Sequence, residues 1–164
     1  VRRFHAAGYS VQSVLAGCLY PRPDYFLSVV KTYESIEHFG STSIPGMVAK
    51  PVIDIMMVVP FGKMPKPIEE LAVLEWRHKG DRGIPGREVY EYLPPYIDLP
   101  VNHFYTCYPD HDQLEGHRAF RDFLTADQEW REKLSALKLE LDRTYDSSSA
   151  DSNPRPCTLP HRAV

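Results

Sequence analysis

Residues 36–55 constrain this chain more than any other stretch. They set two short apolar runs, Ile36-Glu37-His38-Phe39 and Val52-Ile53-Asp54-Ile55, on either side of Gly40-Ser41-Thr42-Ser43. Such runs, bounded by turn residues, predict paired strands. Gly40 lets the chain turn tightly, and the hydroxyls of Ser41, Thr42 and Ser43 with nearby backbone N–H groups form a donor-rich concavity for an anion. Asp54 lies inside a β-branched run that reaches Val59, where a charge is costly unless something pairs with it. It is therefore expected to face that concavity from a rigid strand, with Lys50 close enough in sequence to reach a phosphate there. The same residue types also make an ordinary hairpin whose aspartate bonds a neighbouring loop. Residue type alone leaves both readings open.

At 164 residues the chain has length for one domain with a real core and too little for two. Its formal net charge of −3 argues against the basic footprint of a nonspecific nucleic-acid binder. The expected partner is a small molecule, a nucleotide or other phosphorylated ligand, with neither nucleic acid nor membrane. No segment has the apolar length that spans a bilayer. Cys18, Cys107 and Cys157 fit neither a disulfide framework nor a Cys-x-x-Cys zinc site, so a reducing compartment, the cytoplasm, is expected. The opening Val1 fits a processed form or a fragment. Arg2, Arg3 and Arg22 precede the first acidic residue, Asp24, which makes organelle import the alternative. Leu15-Ala16-Gly17-Cys18 spells a lipoprotein-type cleavage box, but Tyr9, Ser10, Gln12 and Ser13 make the stretch before it too polar.

Phe26, Val29, Val30 and Tyr33 recur on one helical face and predict a helix over residues 24–33. A strand over 36–39, the Gly-Ser turn, a turn or two of helix within 44–49 that Pro51 ends, and a core strand over 52–59 follow. Pro65 and Pro67 open a helix with Ile68, Leu71, Ala72 and Leu74 inward and Gly80 as its terminator. After a Gly/Pro loop over 80–86, two strands alternate: 87–93 aligns Arg87, Val89, Glu91 and Leu93, and 101–107 aligns Val101, His103, Tyr105 and Cys107. Helices are predicted over 114–124, burying Phe120, Phe123 and Leu124, and over 126–145, burying Trp130, Leu134, Leu137 and Leu141. Thr125 with Gln128 would form a capping box between them. Trp76, Trp130 and the tyrosines read as packing rather than base-stacking platforms. The expected organisation is an N-terminal extension over 1–23, a domain over 24–145 and a Ser/Pro-rich, mobile tail over 146–164. That order of elements is an α+β sandwich, a mixed β-sheet with helices packed mainly on one face.

His38-Phe39-Gly40-Ser41-Thr42-Ser43, then Pro45-Gly46, then Ala49-Lys50-Pro51 and the apolar run holding Asp54 together resemble the signature of the GrpB family. That family is assigned to the nucleotidyltransferase superfamily of the polymerase-beta type. Further matches run in the family's order: Gly83-Ile84-Pro85-Gly86-Arg87, the strand centred on His103, the helix over 118–124, and Leu137-Lys138. The resemblance spans residues 24–145 and implies a nucleotidyltransferase-like fold.

What it implies about chemistry is transfer of a nucleoside monophosphate from a nucleoside triphosphate to an acceptor. Such chemistry is usually run by carboxylate-bound divalent ions. The superfamily supplies Gly-Ser, a strand with Asp-x-Asp and a third carboxylate. Gly40-Ser41 and Asp54 match the first two, but Met56 stands at the second aspartate. The family's His-x-His strand corresponds to His103-Phe104-Tyr105, where Tyr105 is a poor metal ligand. The resemblance thus implies Asp54 and His103 as catalytic residues and ligands of Mg or Mn in a weakened site, with Glu37 or Glu91 the residues able to restore a pair. Phosphate would be held by Gly40, Ser41, Thr42, Ser43, Lys50, Arg87 and Arg121, with Arg118 in a lesser role. Residue by residue, plainer readings stand beside these. His103 fits a satisfied strand histidine, His38 either orients the turn or touches phosphate, Arg118 has an intrahelical partner in Asp122, and Lys138 reads as a solvated helix lysine. A phosphate-binding module without catalysis on the same fold is the alternative function.

Overall fold

The computed structural model describes residues 5–6, 23–92 and 101–145. The rest of the expected extension, the expected tail, Leu93, Cys18 and Cys157 lie outside the described residues. In chain order the elements are β1 (His5–Ala6), α1 (Pro23–Val29), β2 (Ser35–Phe39), a 3-10 turn (Ser41–Ser43), β3 (Val48–Ala49), β4 (Ile53–Val58), α2 (Pro65–Val73), β5 (Trp76–His78), β6 (Arg87–Tyr92), β7 (Asn102–Cys107), α3 (Asp112–Ala126) and α4 (Gln128–Tyr145). Five strands form one sheet in the order β2-β4-β7-β6-β5, and β1 pairs with β3 separately. The β4–β7 pair is parallel and its neighbours are antiparallel, so the sheet is mixed and the α+β expectation holds.

Alternation along β4 divides the molecule. Ile53, Ile55 and Met57 join Phe104, Tyr90 and Trp76 beneath Phe26 and Val30 at α1 and Leu71 of α2, which makes the larger core. The other face holds a smaller cluster in which Leu114 of α3 covers Phe39, Met56, Val58 and Cys107. A third cluster seats Ile44 and Met47 against Leu124 and Leu134, fixing the segment after the turn to α3 and α4. Helices thus cover one face broadly and the other only in part, leaving the Asp54 end of β4 open.

Several local expectations are corrected. The first helix stops at Val29 rather than 33, because the Glu70 carboxylate accepts the N–H groups of Lys31 and Thr32, each at 3.1 Å, and holds that exit non-helical. No helix forms within 44–49: Pro45 lacks a donor, Gly46 takes φ 77°, and Val48–Ala49 pairs with β1. Gly80 does not end α2. The chain turns at Glu75, φ 63°, into β5, a strand too short to show periodicity in sequence. Ala72 is exposed, while Pro67 and Leu71 are buried. The Thr125–Gln128 box is replaced by Asp127, whose Oδ1 accepts the Trp130 N–H at 3.0 Å; Thr125 is still inside α3 and bonds the Arg121 carbonyl. Phe120, Phe123, Trp130, Leu137 and Leu141, expected inside, are exposed. Helical spacing locates an apolar stripe but not what covers it.

Candidate functional site

Strand register brings the site together. Asp54 lies opposite Phe39 on β2 and beside His103 on β7, so all three share the open face. Asp54 Oδ1 and His103 Nδ1 are 2.8 Å apart, and the side chains are 34% and 55% exposed, so the strand carboxylate has found its partner at solvent. In the neutral ring, an Nδ1–H donating to the carboxylate leaves the Nε2 lone pair free. Gly40 is required twice over. Its φ is 68°, and an added Cβ would lie 2.1 Å from Asp54 Oδ2. The aspartate packs directly on the turn backbone.

The three hydroxyls of the turn have different tasks. Thr42 donates to the Val52 carbonyl at 3.0 Å, so its oxygen accepts from buried His38 Nε2 at 2.9 Å. Ser43 donates to the Gly40 carbonyl at 2.7 Å. These bonds shape the turn and commit Thr42 and Ser43 internally, and His38 orients the turn. Ser41 alone directs its hydroxyl outward, where the Lys138 ammonium donates to it. Lys138, read from sequence as merely solvated, is therefore a site residue that the sequence reading missed. Its one signal was the Leu137-Lys138 match.

Lys138 projects from α4 across the turn, with Leu141 and Asp142 three and four residues later on the same face. Together with Ser41, Lys50, Asp54 and His103 they bound an open cleft of about 640 Å³. Partial burial pushes the Lys138 pKa down, and the nearby Asp54 charge offsets this in part. An ammonium so placed gains from a second anion.

The arginines go elsewhere. Arg118 Nε donates to the two Glu37 oxygens at 3.1 and 3.3 Å and its Nη2 adds a further bond, while Arg121 Nη1 reaches Glu37 at 3.3 Å. Burial raises the Glu37 pKa, but the bonds and charge of Arg118, then Arg121, outweigh it, so the carboxyl titrates below its ordinary range. Arg121 also pairs with Asp122 at 2.8 Å and touches the His38 carbonyl, and Arg118 turns to Glu115 rather than Asp122. This network ties α3 to β2. Arg87 lies 4.8 Å from the Tyr105 ring centroid and bonds Gln113 at 2.9 Å. Burial first, then Asp54, raises the Tyr105 pKa against the pull of Arg87. None of the three arginines lines the cleft. Glu91 pairs with Lys79 at 2.8 Å, so neither candidate carboxylate joins Asp54.

His117 is a second residue missed in sequence. It stacks on Phe39 at 5.4 Å, with its pKa lowered by burial, raised by Asp54 and lowered by Arg87. Cys107 is fully buried; burial pushes its thiol up to about 11, so it is no nucleophile. Among the described residues no group of three His, Cys, Asp or Glu side chains could hold a metal. Nor is any described helix long and apolar enough to cross a membrane.

Comparison with known proteins places this geometry. The chain is 30% identical over 115 residues to the UPF0157 protein YqkA of Bacillus subtilis (strain 168), a match covering 70% of this chain and 33% of that protein. It is likewise 30% identical over 115 residues to the glutamate-rich protein GrpB of Alkalihalophilus pseudofirmus, covering 68% and 66%. The match thus spans a third of the first relative and just under two thirds of the second. The crystal structure of the conserved protein GrpB from Enterococcus faecalis superimposes with a TM-score of 0.67 at 23% identity, over 89% of this chain and 87% of that one, which shows a shared fold. A family model described as GrpB protein matches residues 3–152. The chain belongs to the GrpB family.

Proposed function

We propose that the cleft binds a phosphorylated small molecule, of which nucleotides are the class suggested by the resemblance of the 36–55 segment to nucleotidyltransferases. The observation that carries this reading is the convergence of Lys138, Lys50 and the Ser41 hydroxyl on one cleft, with Lys138 half-buried and drawn toward the turn. Binding without a resident metal is what the donors support. Asp54 and His103 offer two protein ligands and find no third among the described residues, so a divalent ion would have to complete its shell with the ligand's own phosphate oxygens.

A second reading, nucleotidyl transfer, is favoured by one observation, the Asp54–His103 couple in that same cleft. There His103 Nε2 would take the proton of an acceptor hydroxyl as its oxygen attacks the α-phosphorus and pyrophosphate leaves. Calorimetric titration with AMP and with ATP, with and without magnesium, tests the first reading, using wild type and Lys138→Met. Binding weakened about tenfold or more by the substitution is expected, as for loss of a charge-assisted bond. Binding indifferent to Lys138 would remove the cleft from consideration. Pyrophosphate released from ATP and abolished by Asp54→Asn would move the assignment to transfer.

A further inference from the structure

The charges that face one another across the cleft limit what it accepts. Two ammonium groups, Lys50 and Lys138, are matched by two carboxylates, Asp54 and Asp142. The cations that would answer a triphosphate are engaged elsewhere: Arg118 and Arg121 hold Glu37, and Arg87 lies against Tyr105 and Gln113. Lys50, Lys138, Asp54 and Asp142 together are neutral, so each further phosphate on a ligand adds uncompensated negative charge facing Asp54 and Asp142 in a partly desolvated space.

Asp142 has a more specific consequence. It stands one helical turn, about 5–6 Å, beyond Lys138 on the same face of α4. An ionised carboxylate only accepts hydrogen bonds, so from the wall of the same cleft it selects a ligand carrying donors there. Leu141, between the two, offers apolar surface to a carbon skeleton.

We infer that the cleft selects a phosphomonoester of a polyhydroxylated molecule, a sugar phosphate or nucleoside monophosphate, over a triphosphate, with Asp142 reading the ligand's hydroxyl groups. This rests on the phosphate-binding reading above. The test is calorimetry of the full chain with ribose 5-phosphate, AMP, propyl phosphate and metal-free ATP, on wild type, Asp142→Asn and Lys138→Met. Ribose 5-phosphate or AMP should bind about tenfold or more tighter than propyl phosphate, because a site built for hydroxyls rejects an analogue lacking them. Asp142→Asn should narrow that gap by weakening ribose 5-phosphate and AMP relative to propyl phosphate, and metal-free ATP should bind more weakly than AMP. The relative strength of ribose 5-phosphate and AMP then separates a sugar phosphate from a nucleotide. Metal-free ATP binding tighter than AMP, or a gap undiminished in Asp142→Asn, overturns the inference while Lys138-dependent phosphate binding leaves the broader reading intact. Failure of every phosphate compound to bind overturns both.

Discussion

The two faces of the central sheet are made from the same strands by alternate residues and have opposite physical character. On one, Ile53, Ile55, Met57 and Phe104 are sealed beneath α1 and α2. On the other, Asp54 and His103, one position along the same strands, meet solvent and each other. A period of two therefore separates what holds the fold from what can act on a ligand, and each set should be removable without the other.

Phe104→Ala should break the packed face and have the largest effect. The ring is fully buried among Phe26, Trp76 and Tyr90, so truncation is expected to cost about 3–5 kcal/mol in denaturant unfolding. A loss below about 1 kcal/mol would mean that this face is not the principal core. Gly40→Ala probes the opposite face where it touches the backbone. A methyl group there meets both a left-handed φ and the Asp54 carboxylate, which predicts about 2–3 kcal/mol of destabilisation and displacement of the His103 bond. Nuclear magnetic resonance of the His103 ring would register the displacement. An unchanged ring signal would show that Asp54 does not need the bare glycine.

The packed face was the more legible in sequence, since β-branched runs and turn residues mark strands directly. The apolar run over 52–59 marked the core strand that holds Ile53 and Ile55. β5 escaped because three residues carry no period, and the exposed stripe of Trp130, Leu137 and Leu141 misled because amphipathic spacing does not name its cover. At the site, Gly40, Ser41, Asp54 and His103 were legible from the motif, and the structure brings them together. Lys138 was not, because a lysine 97 residues from Ser41 becomes its neighbour only when α4 crosses the turn. Arg121 was legible as a cation but not in its use. Its proximity to Glu37 follows from the packing of α3 on β2, which no local pattern encodes.

That Glu37 network makes the smallest of these effects and the sharpest test of the boundary between the faces. Glu37 points to the open face, yet it acts as structure by holding Arg118 and Arg121 and through them α3. Its folded pKa lies below the ordinary 4.5, so its carboxylate contributes stability in full above that value and loses it as pH falls through the lowered value. Glu37→Gln should therefore cost about 1–2 kcal/mol near pH 7, modest because both arginines keep contact with water. The gap between variant and wild type should narrow as pH falls below 4.5 and through the lowered value, beyond which protonated Glu37 resembles glutamine. Urea unfolding along a descending pH series measures it. A gap that stays constant with pH would mean the residue acts through shape rather than charge. Loss of ligand binding without loss of stability would move Glu37 from the scaffold into the site, erasing the division that the alternating strands draw.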